Sequence, residues 1–141
     1  MSLAVFLVFT GLILSNGCTK KEGESGTPSV SDKGIGPIKN ITLGPIDSQK
    51  ASQGQQIFQS KCSACYKLDE KYVGPALKGV TQRRTPEWIL NQILNPTEMT
   101  QKDPIAKELL ATYLTQMTFQ NVTEEEAKAI LEYFRQYDSQ K

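Results

Sequence analysis

Beyond about Ser48 the apolar residues recur at helical spacing, and no segment alternates convincingly between apolar and polar positions as a strand does. Ser52 is a candidate N-cap for a first helix that runs through Phe58. The last segment carries a clear amphipathic stripe, formed by Ala127, Ile130, Leu131 and Phe134. The pattern predicts an all-α domain with no internal repeat.

Capping signals divide this region further. Thr85-Pro86 and Asp103-Pro104 each place an N-cap residue before a proline in the first helical turn. Asn95-Pro96 is a stop signal, and Thr123–Glu126 has the form of a capping box. These signals predict a bundle of about four to five helices over residues 48–141.

The first 17 residues are strongly apolar and end at Gly17-Cys18. A short apolar run, then small residues and a cysteine, is similar to a bacterial lipoprotein signal, whose cleavage leaves a lipidated Cys18. The alternative is a plain N-terminal membrane anchor with an unmodified cysteine. Both interpretations place the rest of the chain on the periplasmic side of a bacterial membrane.

Residues 18–47 are rich in Gly, Ser, Pro, Lys and Glu, which predicts a flexible tether before the domain of residues 48–141. A few aliphatic side chains of the tether are able to dock on the domain: Ile35, Ile38, Ile41 and Leu43.

Composition narrows the function. Lys and Arg number 16 against 15 Asp and Glu, and this near-neutral balance argues against a nucleic-acid partner. The chain has 3 cysteines and no histidine. A zinc site needs about four ligands, so zinc binding is not expected with two cysteines in the domain.

Cys62-Ser63-Ala64-Cys65-Tyr66 reads like the C-x-x-C-H signature of c-type haem attachment with tyrosine in place of histidine. In that signature the cysteines bond the haem and the imidazole ligates its iron. C-x-x-C also serves thiol–disulfide oxidoreductases, but those accompany a βαβ pattern that is absent here.

The order of the downstream motifs adds weight to the haem interpretation. They are Gly74-Pro75, Arg83-Arg84 with Trp88, Met117 and the capped last helix. From about Ser48 to its end the chain resembles the class I c-type cytochromes. The resemblance implies a cytochrome c-like bundle around one haem pocket. It also implies that the first and last helices cross at Gly54, with Phe58 meeting Ile130, Tyr133 or Phe134.

By the same resemblance, Cys62 and Cys65 attach haem c, and Met117 supplies a sulfur ligand to the iron. Met99 is the competing methionine. Pro75 lies beside the residue that follows the second cysteine, and its carbonyl is a possible acceptor for the Tyr66 hydroxyl. Arg83, Arg84 and Trp88 resemble the donors to haem propionates. The side chains expected around the macrocycle are Leu77, Val80, Ile89, Ile93 and Leu110.

Three outcomes stay open for Tyr66. Its ring swings aside, leaving the iron held by Met117 alone or with water; the backbone shifts and the phenol ligates the iron; or haem is never attached. The resulting hypothesis is a lipid-anchored electron carrier rather than an enzyme, passing electrons between membrane-bound and periplasmic redox proteins. The alternative is a haem-free or haem-degenerate module with a structural or docking role.

Overall fold

The computed structural model describes residues 32–140, and this part of the chain contains six α-helices and no β-strand. The helices are α1 (Ser48–Lys61), α2 (Val80–Arg83), α3 (Pro86–Leu94), α4 (Pro96–Lys102), α5 (Pro104–Tyr113) and α6 (Glu124–Ser139). The predicted all-α class is confirmed. Within residues 32–140 no helix is long and apolar enough to cross a membrane. The predicted signal segment 1–17, Cys18 and the first part of the tether lie outside the described residues.

The start of α1 differs from the sequence-based expectation. Asp47, and not Ser52, is the N-cap, because its carboxylate accepts hydrogen bonds from the backbone N–H groups of Gln49 (2.9 Å) and Lys50 (3.0 Å). The helix continues past Phe58 to Lys61. A capping carboxylate satisfies orphan backbone donors, which explains the earlier start.

The proline signals account for the middle of the domain. Thr85 caps α3 and Asp103 caps α5, each followed by proline, and both predictions are confirmed. Asn95-Pro96 does end α3, but Pro96 then opens the short helix α4, which the sequence interpretation did not include. Together with the single turn α2, this raises the count to six. The predicted capping box at the start of α6 is confirmed.

The predicted crossing of the first and last helices is confirmed at Gly54. A Cβ atom there would overlap the Ala129 carbonyl oxygen and lie 2.8 Å from the backbone nitrogen of Ile130. Next to the contact, the ring of Phe58 packs against Tyr133 and Phe134, with centroids 5.8 and 5.7 Å apart. Only glycine lets the two backbones approach this closely.

Residues 32–46, here called the strap, lie against the domain without regular secondary structure and bend at residues 35–37. Ile38 is buried in the core, and the other three aliphatic residues expected to dock, Ile35, Ile41 and Leu43, pack against that core. The expected docking is therefore confirmed. This part of the predicted flexible tether is bound to the domain, because its aliphatic side chains find apolar partners and its backbone finds polar ones.

Asn91 of α3 is the main polar partner of the strap. Its side chain is fully buried; it accepts a hydrogen bond from the Ile38 N–H (2.9 Å) and donates to the carbonyls of Lys33 (2.8 Å) and Ile38 (2.9 Å). A Cβ atom at Gly36 would overlap the Asn91 amide, so this position has room only for glycine. The strap is thus held by a fully satisfied buried amide.

Candidate functional site

An open apolar cavity lies between the segment 74–84 and helices α3, α5 and α6. The empty space within it, including the part open to solvent, is about 1080 Å³. The residues that line it are Phe58, Cys62, Tyr66, Gly74, Pro75, Ala76, Leu77, Val80, Arg83, Arg84, Trp88, Ile89, Gln92, Ile93, Thr100, Ala106, Leu109, Leu110, Tyr113, Thr115, Met117, Ile130 and Phe134.

The segment that follows α1 forms a tight turn at one wall of the cavity. The N–H groups of Cys65 and Tyr66 both donate to the Cys62 carbonyl, at 3.0 Å each. Cys62 is half-buried and lines the cavity, whereas Cys65 is exposed and is not among the lining residues. No disulfide joins the two thiols. Burial raises the pKa of the Cys62 thiol.

Tyr66 is held against the loop that follows it. A Cβ atom at Gly74 would overlap Cε1 of the Tyr66 ring and lie 2.8 Å from Cδ1, so the ring lies directly on the glycine backbone. The Gly74 N–H also donates to the Cys65 carbonyl at 3.0 Å. Burial, with a smaller effect of the Cys65 and Cys62 thiols, raises the pKa of Tyr66 to about 12. Within residues 32–140 the Tyr66 hydroxyl makes no hydrogen bond, and the expected bond to the Pro75 carbonyl is absent.

The two candidate sulfur ligands lie in different places. Met117 is half-buried and lines the cavity, where its sulfur faces Nε2 of Gln92 at 3.5 Å. Met99 is fully buried away from the cavity lining, and its sulfur accepts the Ile35 N–H of the strap. The arrangement therefore keeps Met117 as the candidate ligand and gives Met99 a packing role.

The three residues expected to donate to haem propionates all line the cavity, but they differ in the partners that they already have. The indole N–H of Trp88 donates to the Asp103 carboxylate at 3.1 Å in the buried interior. Arg84 stacks on the Trp88 ring with its guanidinium 5.3 Å from the ring centroid. Arg83 is exposed and donates to the backbone carbonyls of Ala76 and Lys78. Their predicted role toward a haem stays a prediction. Trp88 has a single donor, and it is engaged, whereas each guanidinium keeps further N–H groups beside those that already donate.

The cavity also contains a residue that was not among the candidate site residues predicted from the sequence. Gln92 projects from α3, and its buried Oε1 has no hydrogen-bond partner in the described chain. The sequence held a signal for it: an amide at the same helical face as Trp88, Ile89 and Ile93 interrupts an otherwise apolar stripe. All five residues predicted to surround a macrocycle line the cavity, whereas Cys65 is exposed and does not line it.

Comparison with known proteins identifies the family of this chain. The family model described as Cytochrome c matches residues 51–138, more than half of the sequence. The chain belongs to the cytochrome c family. Proteins of this family are haem-based electron carriers, with haem c bonded covalently to the polypeptide.

Individual relatives support the assignment. Cytochrome c-553-like from Synechocystis sp. is 36% identical over 69 residues, covering 45% of this chain and 66% of the relative. Cytochrome c2 from Rhodopseudomonas palustris is 25% identical over 119 residues, covering 67% of this chain and 85% of the relative. The solved structure of cytochrome c from Rhodothermus marinus is 48% identical, with a TM-score of 0.74 over 75% of this chain and 92% of that one.

The residues of the cavity fit a haem group in three respects. Its walls are mainly apolar, Cys62 lies on the lining with Cys65 in the same hydrogen-bonded turn, and Met117 offers a thioether. Gln92 also lines the cavity, and its buried Oε1 has no hydrogen-bond partner among residues 32–140, which is consistent with a site that a further chemical group completes. One respect differs: the residue after the second cysteine is Tyr66, and the sequence contains no histidine.

Proposed function

We propose that this protein is a membrane-anchored electron carrier that holds one haem c through thioether bonds to Cys62 and Cys65. The observation that carries the proposal is that Cys62, Met117 and the predicted apolar residues, which come from distant parts of the chain, all line the same cavity. The haem supplies a reversible one-electron change at its iron. The chain's residues bind it, exclude water from its faces and present a sulfur ligand.

The location and partners extend the proposal. Lipidation of Cys18 would anchor the protein on the periplasmic side of a bacterial membrane, where its partners are membrane-bound or periplasmic redox proteins. No nucleic-acid partner is proposed, because the net charge is only +1. The strap is held at its first described residue, Asp32, whose carbonyl accepts a hydrogen bond from the Thr85 hydroxyl. Mass spectrometry of membrane-extracted protein should show a diacylglyceryl group on Cys18, and Met1 retained with an unmodified Cys18 would exclude it.

Haem content tests the central part of the proposal. The full chain, Cys62→Ser, Cys65→Ser and Tyr66→His are each expressed with a haem-attachment system and assayed by the pyridine haemochrome spectrum. We expect covalent haem in the unaltered chain, more in Tyr66→His, and loss of one thioether bond in each serine variant. If Tyr66→His carries no haem either, the cavity is not a haem site.

Tyr66 favours a second candidate, a haem-free cytochrome-like module with a structural or docking role. In the family the attachment machinery of bacteria generally needs the histidine of the C-x-x-C-H signature. The Tyr66 ring lies on Gly74 within a hydrogen-bonded turn. The same experiment separates the candidates, since the second predicts no haem in the unaltered chain, and none in Tyr66→His either if the pocket itself has been lost.

A further inference from the structure

The group that follows Cys65 decides whether a bound iron has a position free for another ligand. An imidazole there would fill one coordination position, and a methionine sulfur would fill another. Within residues 32–140 the side chains on the cavity wall include Met117 and Tyr66 but no lysine, and the sequence has no histidine. Coordination at one position therefore depends on what Tyr66 does.

The surroundings of Tyr66 restrict its ring. The turn Cys62–Tyr66 is closed by two hydrogen bonds to the Cys62 carbonyl, and the bond from Gly74 to Cys65 ties the next loop to it. The ring rests on the Gly74 backbone, with no room between them for even a methyl group. The ring cannot move toward Gly74, and moving the backbone would break the turn.

The Tyr66 hydroxyl is an unused donor. It has no hydrogen-bond partner within the described chain although its residue lines the cavity and is half-buried. A neutral phenol is a weak metal ligand and a good donor to an acceptor atom. Tyr66 is thus suited to donate to something bound in the cavity.

We propose that the cavity binds a small inorganic ligand at the position left without a protein ligand, and that the Tyr66 hydroxyl donates a hydrogen bond to it. The ligand class is a small anion or polar molecule whose bound atom accepts a hydrogen bond. The inference rests on the proposed haem-binding function and adds a ligand-binding activity to it. Tyr66 then acts as a ligand-binding residue, and not as a metal ligand.

Fluoride is the probe, because it is small, binds ferric haem and accepts hydrogen bonds. The unaltered protein, Tyr66→Phe and Tyr66→His are first brought to known haem content by the pyridine haemochrome assay. Fluoride is then titrated into each ferric protein and followed by the visible absorption spectrum. Tyr66→Phe is the matched variant, since it keeps the ring on Gly74 and removes only the hydroxyl; circular dichroism checks that its fold is retained.

We expect the unaltered protein to bind fluoride and Tyr66→Phe to bind it roughly tenfold more weakly, the effect of one hydrogen bond to a charged acceptor. Tyr66→His should not bind it measurably, because imidazole closes the position. Equal fluoride affinities of the unaltered protein and Tyr66→Phe overturn the inference. Tighter binding by Tyr66→Phe also overturns it, since the phenol would then be the iron ligand that fluoride displaces.

Haem content distinguishes a failure of the proposed function from a failure of the ligand-binding inference alone. If no variant carries haem, including Tyr66→His, the proposed function fails and the inference fails with it. If the unaltered protein carries haem and does not respond to fluoride, only the inference fails. Haem in Tyr66→His alone also overturns the inference, because the natural chain then has no iron for the ligand.

Discussion

Asn91 and Gln92 are neighbours on α3 with the same amide chemistry, and they lie in opposite situations. Asn91 faces the strap, is fully buried and makes three hydrogen bonds to its backbone. Gln92 lines the cavity; among residues 32–140 its buried Oε1 has no hydrogen-bond partner, and its Nε2 meets only the sulfur of Met117, a weak acceptor.

The difference shows on which side of α3 the polypeptide satisfies the hydrogen bonds of a buried amide by itself. A buried amide without a partner costs free energy, so a chain selected for stability alone would not keep one. On the strap side the buried amide of Asn91 is satisfied by the backbone of the strap. The cavity side is left incomplete, as expected where a group that is not part of the polypeptide is bound.

The largest effect on stability is expected at the crossing of α1 and α6, where the two backbones are in direct contact. Gly54→Leu places a side chain into the Ala129 carbonyl. We expect the free energy of unfolding to fall by about 3 kcal/mol or more, because backbone atoms cannot move aside as side chains do. Urea denaturation of the purified protein measures this, and an unchanged midpoint would show that the crossing is misplaced.

Asn91→Leu tests the side of α3 that faces the strap. The substitution leaves the Ile38 N–H and two strap carbonyls buried without partners, at about 1–3 kcal/mol for each group that stays buried. We expect a loss of about 3 kcal/mol and faster proteolysis within the strap. A loss below about 1 kcal/mol would mean that the strap contributes little to the stability of the domain.

The glycines of the strap offer a matched pair. A Cβ atom at Gly36 would overlap the Asn91 amide, whereas one at Gly44 would meet nothing within 4 Å. Gly36→Ala should therefore lower the free energy of unfolding by about 1–3 kcal/mol, and Gly44→Ala should change it by less than about 0.5 kcal/mol. Equal effects of the two substitutions, measured by thermal unfolding, would remove the evidence that the strap packs at Asn91.

The smallest effect on stability is expected on the cavity side. Gln92→Leu removes an acceptor that has no partner, so haem-free protein should lose less than about 1 kcal/mol, or gain stability. In haem-loaded Tyr66→His protein the same substitution removes the N–H that faces Met117, and the reduction potential should shift. A stability loss as large as that of Asn91→Leu would show that the two faces of α3 do not differ.

Much of the fold was readable from local signals. The caps at Thr85, Asp103 and Thr123 act on backbone groups within three residues, so their chemistry is visible in the sequence. The start of α1 was placed wrongly because Asp47 and Ser52 are both able to cap, and only the packing of the helix selects between them. The helix α4 was missed because a proline that ends one helix also opens the next.

The sequence by itself determined the helical class, the cysteine pair with its tyrosine, the family resemblance and the candidate sulfur of Met117. Tertiary structure decided which methionine reaches the cavity, that the strap is bound to the domain, and that Oε1 of Gln92 has no hydrogen-bond partner among residues 32–140. These outcomes depend on contacts between residues far apart in the chain. Local spacing predicts which face of a helix is apolar, but not which residues that face contacts.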